Sequence, residues 1–402
     1  MIACVRWRLW SALLLLLALL APMANPWHAR AAQTEGPQGV TLEQVGYGRD
    51  EILRRLRHLK PASSFRSQYA YSNFGLTEGA IAAAKATGKS WEDVAAEKLY
   101  RPLGMSSTSS RFADYEAAPN RALIHVLVND AWVPRLTRNA NAQSPAGGVS
   151  STARDLAQWM RLELGNGRFD GELMINSDAL AQTHLPQIIR GSNLVTGQPA
   201  FYGLGWNVDY DEQGRIFWSH AGAFSLGART LVELLPSEDL GIVVLTNAFP
   251  TGVPEAIAAD FYDLVLKGQV TRDWIQLWNE PFDALVQSFY AASRAYATPP
   301  AQIVPAQPPS AYIGTYTNDY FGDIEVSEKD GALVLQLGPD KHAFPLRHWD
   351  RDVFLYEPDA EFPGAVSGVK FGIGPGQQAQ QVVLENFNDD DQGTFTRVLA
   401  GR

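Results

Sequence analysis

Tyr71, Ser72 and Asn73 place a phenol, a hydroxyl and a carboxamide on consecutive residues. Residues 68–70 before them read as a short extended run and the Ala-rich pattern from Phe74 reads as a helix, so the three side chains stand at a strand-to-helix corner. A phenolate can accept a proton and a carboxamide can hold a carbonyl or an N–H, which is the pairing that acyl transfer needs. The plain alternative is a Tyr packed in the core beside an Asn that caps the next helix. His220 is a second candidate. It lies in Trp218-Ser219-His220-Ala221-Gly222-Ala223, at the end of an expected strand, with Gly222 leaving room for a ligand or another backbone. A structural His is the plain alternative there. His58 reads as solvent-facing and His184 as a helix-end residue, while His342 and His348 lack a ligand-like partner pattern, so no metal and no cofactor is expected.

The elements that must position these residues follow from the pattern along the chain. Asp50 can cap a helix whose Ile52, Leu53, Leu56 and Leu59 share one face, ended by Lys60-Pro61. A helix follows over residues 74–86, and Ser90 with Asp93 resembles a capping box for another over residues 91–99. Ser151 or Thr152 caps a helix with Leu156, Trp159, Met160 and Leu164 on its buried stripe. From residue 202 the composition turns to strands, at 202–210, 215–218, 228–235 and 241–246, an antiparallel meander. Helical patterns at 254–266 and 274–296 return to it. Five prolines between residues 297 and 310 then mark a boundary, and about eight short strands beyond it suggest a small all-β barrel or sandwich. The expected fold class is therefore α+β, with an antiparallel sheet flanked by helices followed by a small barrel-like domain.

The chain has 402 residues, 46% of them apolar, and a net charge of −10 with no basic run, which suits two globular domains and argues against a nucleic-acid partner. Arg6 and Arg8 precede an apolar run over residues 9–20, with Ala29-Arg30-Ala31 as a cleavage pattern, so residues 1–31 read as an export signal. That run is too short to span a bilayer and nothing later is long and apolar enough, so no stable membrane span is expected after cleavage. The protein is expected to be periplasmic or secreted. Cys4, the only cysteine, falls within the signal. Residues 32–48 read as a loose linker, 49–297 as the first domain, 298–310 as a Pro-rich linker and 311–402 as the second.

Tyr71-Ser72-Asn73, Pro102-Leu103-Gly104-Met105, Ala146-Gly147-Gly148-Val149-Ser150-Ser151, Tyr202-Gly203-Leu204-Gly205-Trp206 and His220-Ala221-Gly222, in that order, resemble the serine β-lactamase and penicillin-binding protein superfamily. More narrowly they resemble its class C β-lactamase, D-aminopeptidase and esterase branch, over about residues 47–270, and the tail is similar to the lipocalin-like barrel that often follows. The resemblance implies serine acyl transfer on a small-molecule or peptide substrate, through a Ser in a Ser-x-x-Lys helix. It implies Tyr71 as the base or proton shuttle, assisted by nearby cations, and Asn73 as the holder of the substrate amide. It also implies His220 in place of the Lys of Lys-Thr-Gly, Gly222 beside the substrate, and the N–H of Ala223 as half of an oxyanion hole.

The departure from that pattern is the nucleophile. Ser-x-x-Lys should precede Tyr71, yet the only match in the chain is Ser367-Gly368-Val369-Lys370, in the expected barrel. No Gly-x-Ser-x-Gly replaces it, Ser63, Ser64 and Ser67 have no Lys one turn later, and Ser72 is the variable middle residue of its motif. The resemblance thus implies a partial domain, probed by three hypotheses: an inactive hydrolase, a non-catalytic module binding peptidoglycan stems or acyl-peptides, or weak esterase activity from another Ser acting with Tyr71. It further implies an unpaired sheet edge and an uncovered apolar face, and so a poorly stable or self-associating domain.

Overall fold

A computed structural model describes residues 39–61, 63–129, 131–358, 364–388 and 392–399; the expected export signal lies outside them. Helix α1 (Val40–Gln44) occupies the stretch expected as a loose linker and buries Val40 and Leu42. Val40, Leu42 and Val45 are the reason: they enter the core of the C-terminal barrel, and that burial outweighs the polar composition around them. Helix α2 (Arg49–Arg55) follows Gly48 rather than a side-chain cap, and its Ile52 is buried. Leu53, Leu56 and Leu59, the expected apolar face, pack on that same barrel core. Arg55 donates to the Tyr320 carbonyl at 2.8 Å and lies over the Tyr47 ring.

Helix α3 (Asn73–Lys85) begins one residue earlier than expected, and Ser72, not Asn73, caps it by accepting from the Gly75 N–H at 3.0 Å. The run at 68–70 pairs with nothing as a strand. Ser90 does accept from the Asp93 N–H at 3.1 Å, as the capping box requires. Helix α4 (Ala153–Leu164) is capped by Thr152 and places Asp155 in its first turn.

The antiparallel meander is a six-stranded sheet. Its strands are β1 (Ile188–Ser192), β2 (Pro199–Tyr202), β3 (Asn207–Tyr210), β4 (Ile216–Phe224), β5 (Ala228–Leu235) and β6 (Leu240–Thr246), hydrogen-bonded in chain order with β1 and β6 at the edges. The expected single strand over 202–210 is two strands, because Gly203 to Trp206 form a turn in which Gly203 donates to the Trp206 carbonyl at 2.7 Å. Strand β4 runs well past Trp218, so His220 lies within a strand, not at its end. Helix α4 covers one face, with Met160 packed among Trp206, Val208 and Leu234. Helix α5 (Val253–Lys267) covers part of the other, where Tyr262 donates to the Glu233 carbonyl at 3.1 Å. Both faces therefore carry a helix, a correction to the uncovered face expected from the resemblance; what stay open among the described residues are the outer edges of β1 and β6. Helix α6 (Trp274–Phe289) packs on α5.

The C-terminal sheet has nine antiparallel strands: β7 (Gly314–Asn318), β8 (Gly322–Lys329), β9 (Ala332–Leu337), β10 (His342–Pro345), β11 (Arg347–Asp350), β12 (Val353–Tyr356), β13 (Ser367–Ile373), β14 (Ala379–Leu384) and β15 (Thr394–Arg397). Their order is β10-β9-β8-β7-β15-β14-β13-β12-β11. The two edge strands, β10 and β11, are consecutive in the chain and separated only by Leu346, so the sheet has to curl until its edges nearly meet. Inward residues such as Tyr316, Leu335, Val369, Phe371, Val382 and Phe395 fill it as a core.

Candidate active site

Two segments far apart in the chain meet at the Tyr71 corner. The Tyr71 ring lies 6.1 Å from His220 on β4 and 6.2 Å, edge-on, from Tyr202 at the end of β2. Tyr69 packs on Tyr202 from the other direction at 5.4 Å. Asn73 is buried at the first turn of α3. Gly222 lies two residues beyond His220 on β4, directly across from Thr230; a Cβ there would come within 2.8 Å of the Thr230 hydroxyl, so a larger residue would have to displace that side chain. Ala223, expected to lend its N–H to a substrate oxygen, pairs with Arg229 on β5, and its methyl packs toward Phe249, Phe282 and Leu285 on the sheet face away from His220.

The electrostatics are those of an enclosed, nearly neutral site. Burial holds the His220 imidazole below its ordinary pKa, and the guanidiniums of Arg229 and Arg190 press the same way against the hydrogen bond to the Ala221 carbonyl. Burial also pushes the Tyr202 phenol far above its usual range, and Tyr71 and Tyr69 add to it. The Tyr202 hydroxyl is 3.1 Å from His220 Nε2, and His220 Nδ1 is 3.0 Å from the Ala221 carbonyl oxygen. With the phenol kept protonated, one arrangement satisfies both contacts: Tyr202 donates to Nε2, and the proton on Nδ1 goes to the carbonyl. His220 is then a neutral imidazole locked in one tautomer. The charge of Arg190 reaches Tyr69, Tyr202 and His220, and its guanidinium is bound to Asp209 at 2.7 Å.

Ala146 and Gly147 of the Ala146-Gly147-Gly148 motif belong to a one-turn helix, Ser144–Gly147, with Gly148 at its C-cap. Arg49 and Glu92 hold it through Ser144, which donates to Glu92 at 2.5 Å and accepts from Arg49 at 2.9 Å. Gly148 permits the close turn, since a Cβ there would overlap Ser144, and a Cβ on Gly147 would sit 3.6 Å from the Phe224 ring at the end of β4. The Pro102–Met105 motif is tied to the start of α4: Asp155 accepts from the Ser107 N–H and the Thr108 hydroxyl, each at 2.8 Å.

Ser72 spends its hydroxyl on the cap of α3, and the Ser63 and Ser67 hydroxyls turn back on the Ser64 carbonyl. Ser367 and Lys370 are both on β13, where residues three apart point to opposite faces. Ser367 is buried and Lys370 is exposed and paired with Glu385, so the two cannot act together on one substrate. Residue reasoning did not assign Tyr69, Tyr202 or Arg190 to the site. Tyr202 opens the Tyr-Gly-Leu-Gly-Trp motif, and that motif was the available signal; Tyr69 and Arg190 carried none, because only the sheet brings them near. No group of three or more His, Asp or Glu among the described residues could hold a metal ion, and no helix there is long and apolar enough to cross a membrane.

The family model described as Beta-lactamase matches residues 20–267, and the model described as Domain of unknown function (DUF3471) matches residues 298–397. An unguisins hydrolase of Aspergillus campestris is 26% identical over 284 residues, covering 67% of this chain and 51% of that protein. The D-alanyl-D-alanine-carboxypeptidase/endopeptidase AmpH of Escherichia coli is 26% identical over 229 residues, covering 56% and 57%. The octameric penicillin-binding protein homologue from Pyrococcus abyssi superposes with a TM-score of 0.46 at 18% identity, covering 89% of this chain and 72% of that one. The chain spans about half the length of the curated relatives it matches. With the Beta-lactamase model accounting for more than half of its residues, the chain belongs to the Beta-lactamase family.

Proposed function

We propose that this chain is a β-lactamase-related serine hydrolase by descent. Its Tyr71, Asn73 and His220 cleft holds the carbonyl of a peptide, acyl-peptide or ester, and the chain forms no acyl-enzyme of its own. The observation that carries the reading is the contact of Tyr71 with His220 in a chain whose one Ser-x-x-Lys sits split across a barrel strand. Tyr71 would then face the substrate beside His220. Asn73 supplies the amide that grips the substrate, and the β4 segment at Gly222 and Ala223 supplies a wall along which it lies. The names of the relatives, a hydrolase of unguisins and a D-alanyl-D-alanine carboxypeptidase/endopeptidase, make an acyl-D-alanyl-D-alanine peptide the first ligand to try. The arginine-led apolar run at residues 6–20 supports export, to the periplasm or outside the cell.

Two measurements test this. Purified protein should not be labelled by a fluorophosphonate or a fluorescent penicillin, and robust labelling would sink the claim of an absent nucleophile. Titration calorimetry with an N-acyl-D-alanyl-D-alanine peptide should show binding that weakens on the order of tenfold in Asn73→Ala or His220→Ala, the cost of one lost hydrogen bond. If there is no heat with that peptide, nor with a penicillin or a simple ester, the cleft is not a binding site.

A further inference from the structure

The two edges of the six-stranded sheet are built differently. Edge strand β1 is guarded: its pairing to β2 slips between Ile189 and Gly191, Gly191 adopts a φ of 142°, and Arg190 stands in the middle of the strand. A bulge and a charge are the devices that keep a β-edge from pairing with another chain. Edge strand β6 has none of them. Its sequence, Leu240-Gly241-Ile242-Val243-Val244-Leu245-Thr246, has no charge and no proline, and every residue pairs with β5 without a register shift. Six of its residues are apolar or Gly, yet none of the seven is fully buried, and Leu245 is 38% exposed. Helix α5, which packs on β5 and β6 at this edge, leaves Ile257, Leu264 and Val265 exposed at 44%, 54% and 51%, at positions i, i+7 and i+8 of one stripe. An unguarded neutral edge beside an exposed apolar stripe is a surface made for burial.

We propose that a second copy of this chain covers it, through antiparallel pairing of β6 with β6 centred on Val243. Residues directly opposite in an antiparallel pair point to the same face. A two-fold pairing centred between residues would set odd positions against even ones and bring the α4 face of one sheet against the α5 face of the other. Only a residue-centred register keeps the faces, and only Val243 as centre lets all seven residues overlap. In that register Ile242 faces Val244, Gly241 faces Leu245 and Leu240 faces Thr246 of the second copy, apolar against apolar with Thr246 at the end and no charge opposed. The small Gly241 takes the exposed Leu245. The two sheets become one, the α5 helices of both copies lie on the same side, and their Ile257, Leu264 and Val265 stripes flank the new seam. The proposal does not depend on how the Tyr71 cleft functions.

Site-specific cross-linking of the full chain in a Cys4→Ser background tests the register. Val243→Cys, close in size to the native residue, puts two thiols across the two-fold axis at the separation of directly opposed strand residues, within disulfide reach. Leu245→Cys puts them four residues apart along the strands, about 14 Å, beyond reach. Mild oxidation should give a covalent dimer with Val243→Cys and on the order of tenfold less with Leu245→Cys, and sedimentation of the unmodified chain should show a dimer at micromolar concentrations. Equal cross-linking of the two variants would mean unspecific association and overturn the pairing. So would an unmodified chain that stays monomeric while the β6 amides resist hydrogen exchange, since residues 1–38 or another peptide would then occupy the edge. A cross-linking variant that fails to fold leaves the sedimentation result to decide.

Discussion

Glu233 lies on β5 directly across from Ser219 on β4 and Ile242 on β6, on the sheet face that α5 covers. Burial, with Asp209 and Glu255 nearby, pushes its carboxyl up to about 8 from 4.5. The folded state therefore favours the protonated acid. The stability that this preference contributes is complete below the unfolded value and is lost as pH rises through the folded one. Glu233→Gln keeps a neutral group of the same shape and removes the loss. The wild type should lose thermal stability between about pH 5 and pH 9, and the variant should lose less, by on the order of 2 kcal/mol at the alkaline end. Identical pH profiles would show that water reaches the carboxyl freely. The nearby Arg229–Glu255 ion pair is buried, and Arg229 also lies over the Phe282 ring at 4.9 Å.

Helix α4 joins two loops that bracket the site. Thr152 caps it with a hydrogen bond from the Asp155 N–H, while the buried Asp155 carboxylate reaches out to Ser107 and Thr108. Thr108 also meets the Ser151 hydroxyl at 2.7 Å, and Ser109 and Ser150 exchange backbone hydrogen bonds. Removing the cap leaves one N–H to water; removing the carboxylate takes the acceptor from two part-buried donors at once. Thr152→Ala should cost about 1 kcal/mol. Asp155→Ala should cost about 3 kcal/mol, read as a lower denaturant midpoint at unchanged slope. If the two variants are equally stable, Asp155 does not hold the loop. The capping signals at Thr152 and Ser90 were legible because a cap is a local contact between residues three apart. The tie from Asp155 to the Pro102–Met105 motif was not, since nothing in local spacing says which loop a carboxylate will meet.

At the scale of the whole molecule, the first described residues belong to the last domain's core. Val40, Leu42, Val45 and Ile52 lie in one cluster with Tyr312, Tyr316, Tyr320 and Phe321, and Phe74, the second residue of α3, joins them. The Gly39 N–H donates to the Tyr320 hydroxyl at 2.9 Å, and the Tyr47 hydroxyl to the Phe321 carbonyl at 2.7 Å. The corner that presents Tyr71 is thus braced by the barrel as well as by its own sheet. Leu42 is fully buried, so Leu42→Ala should cost about 2–5 kcal/mol. Hydrogen exchange locates the effect: faster exchange is expected in β7 and β8 and at the start of α3, with α4 unaffected. Faster exchange confined to α1 would show that the segment only decorates the barrel.

What the sequence determined by itself was the kind of residue at each position and the local elements those residues form. Tyr71, Asn73, His220 and Gly222 stood out as residue types in ordered motifs, and the strand and helix patterns were right in class because periodicity and capping are set by neighbours in the chain. Ser72 as cap in place of Asn73 is a shift of one residue, the usual precision of such boundaries. Tertiary structure decided the rest. It placed the Tyr202 hydroxyl on His220, set the Ala223 methyl on the sheet face away from His220, split Ser367 from Lys370 across a strand, and drew Val40, Leu42 and Val45 into the barrel rather than leaving them in a linker. Each of these rests on a contact between residues distant in the chain, and such contacts depend on which faces find each other in the fold.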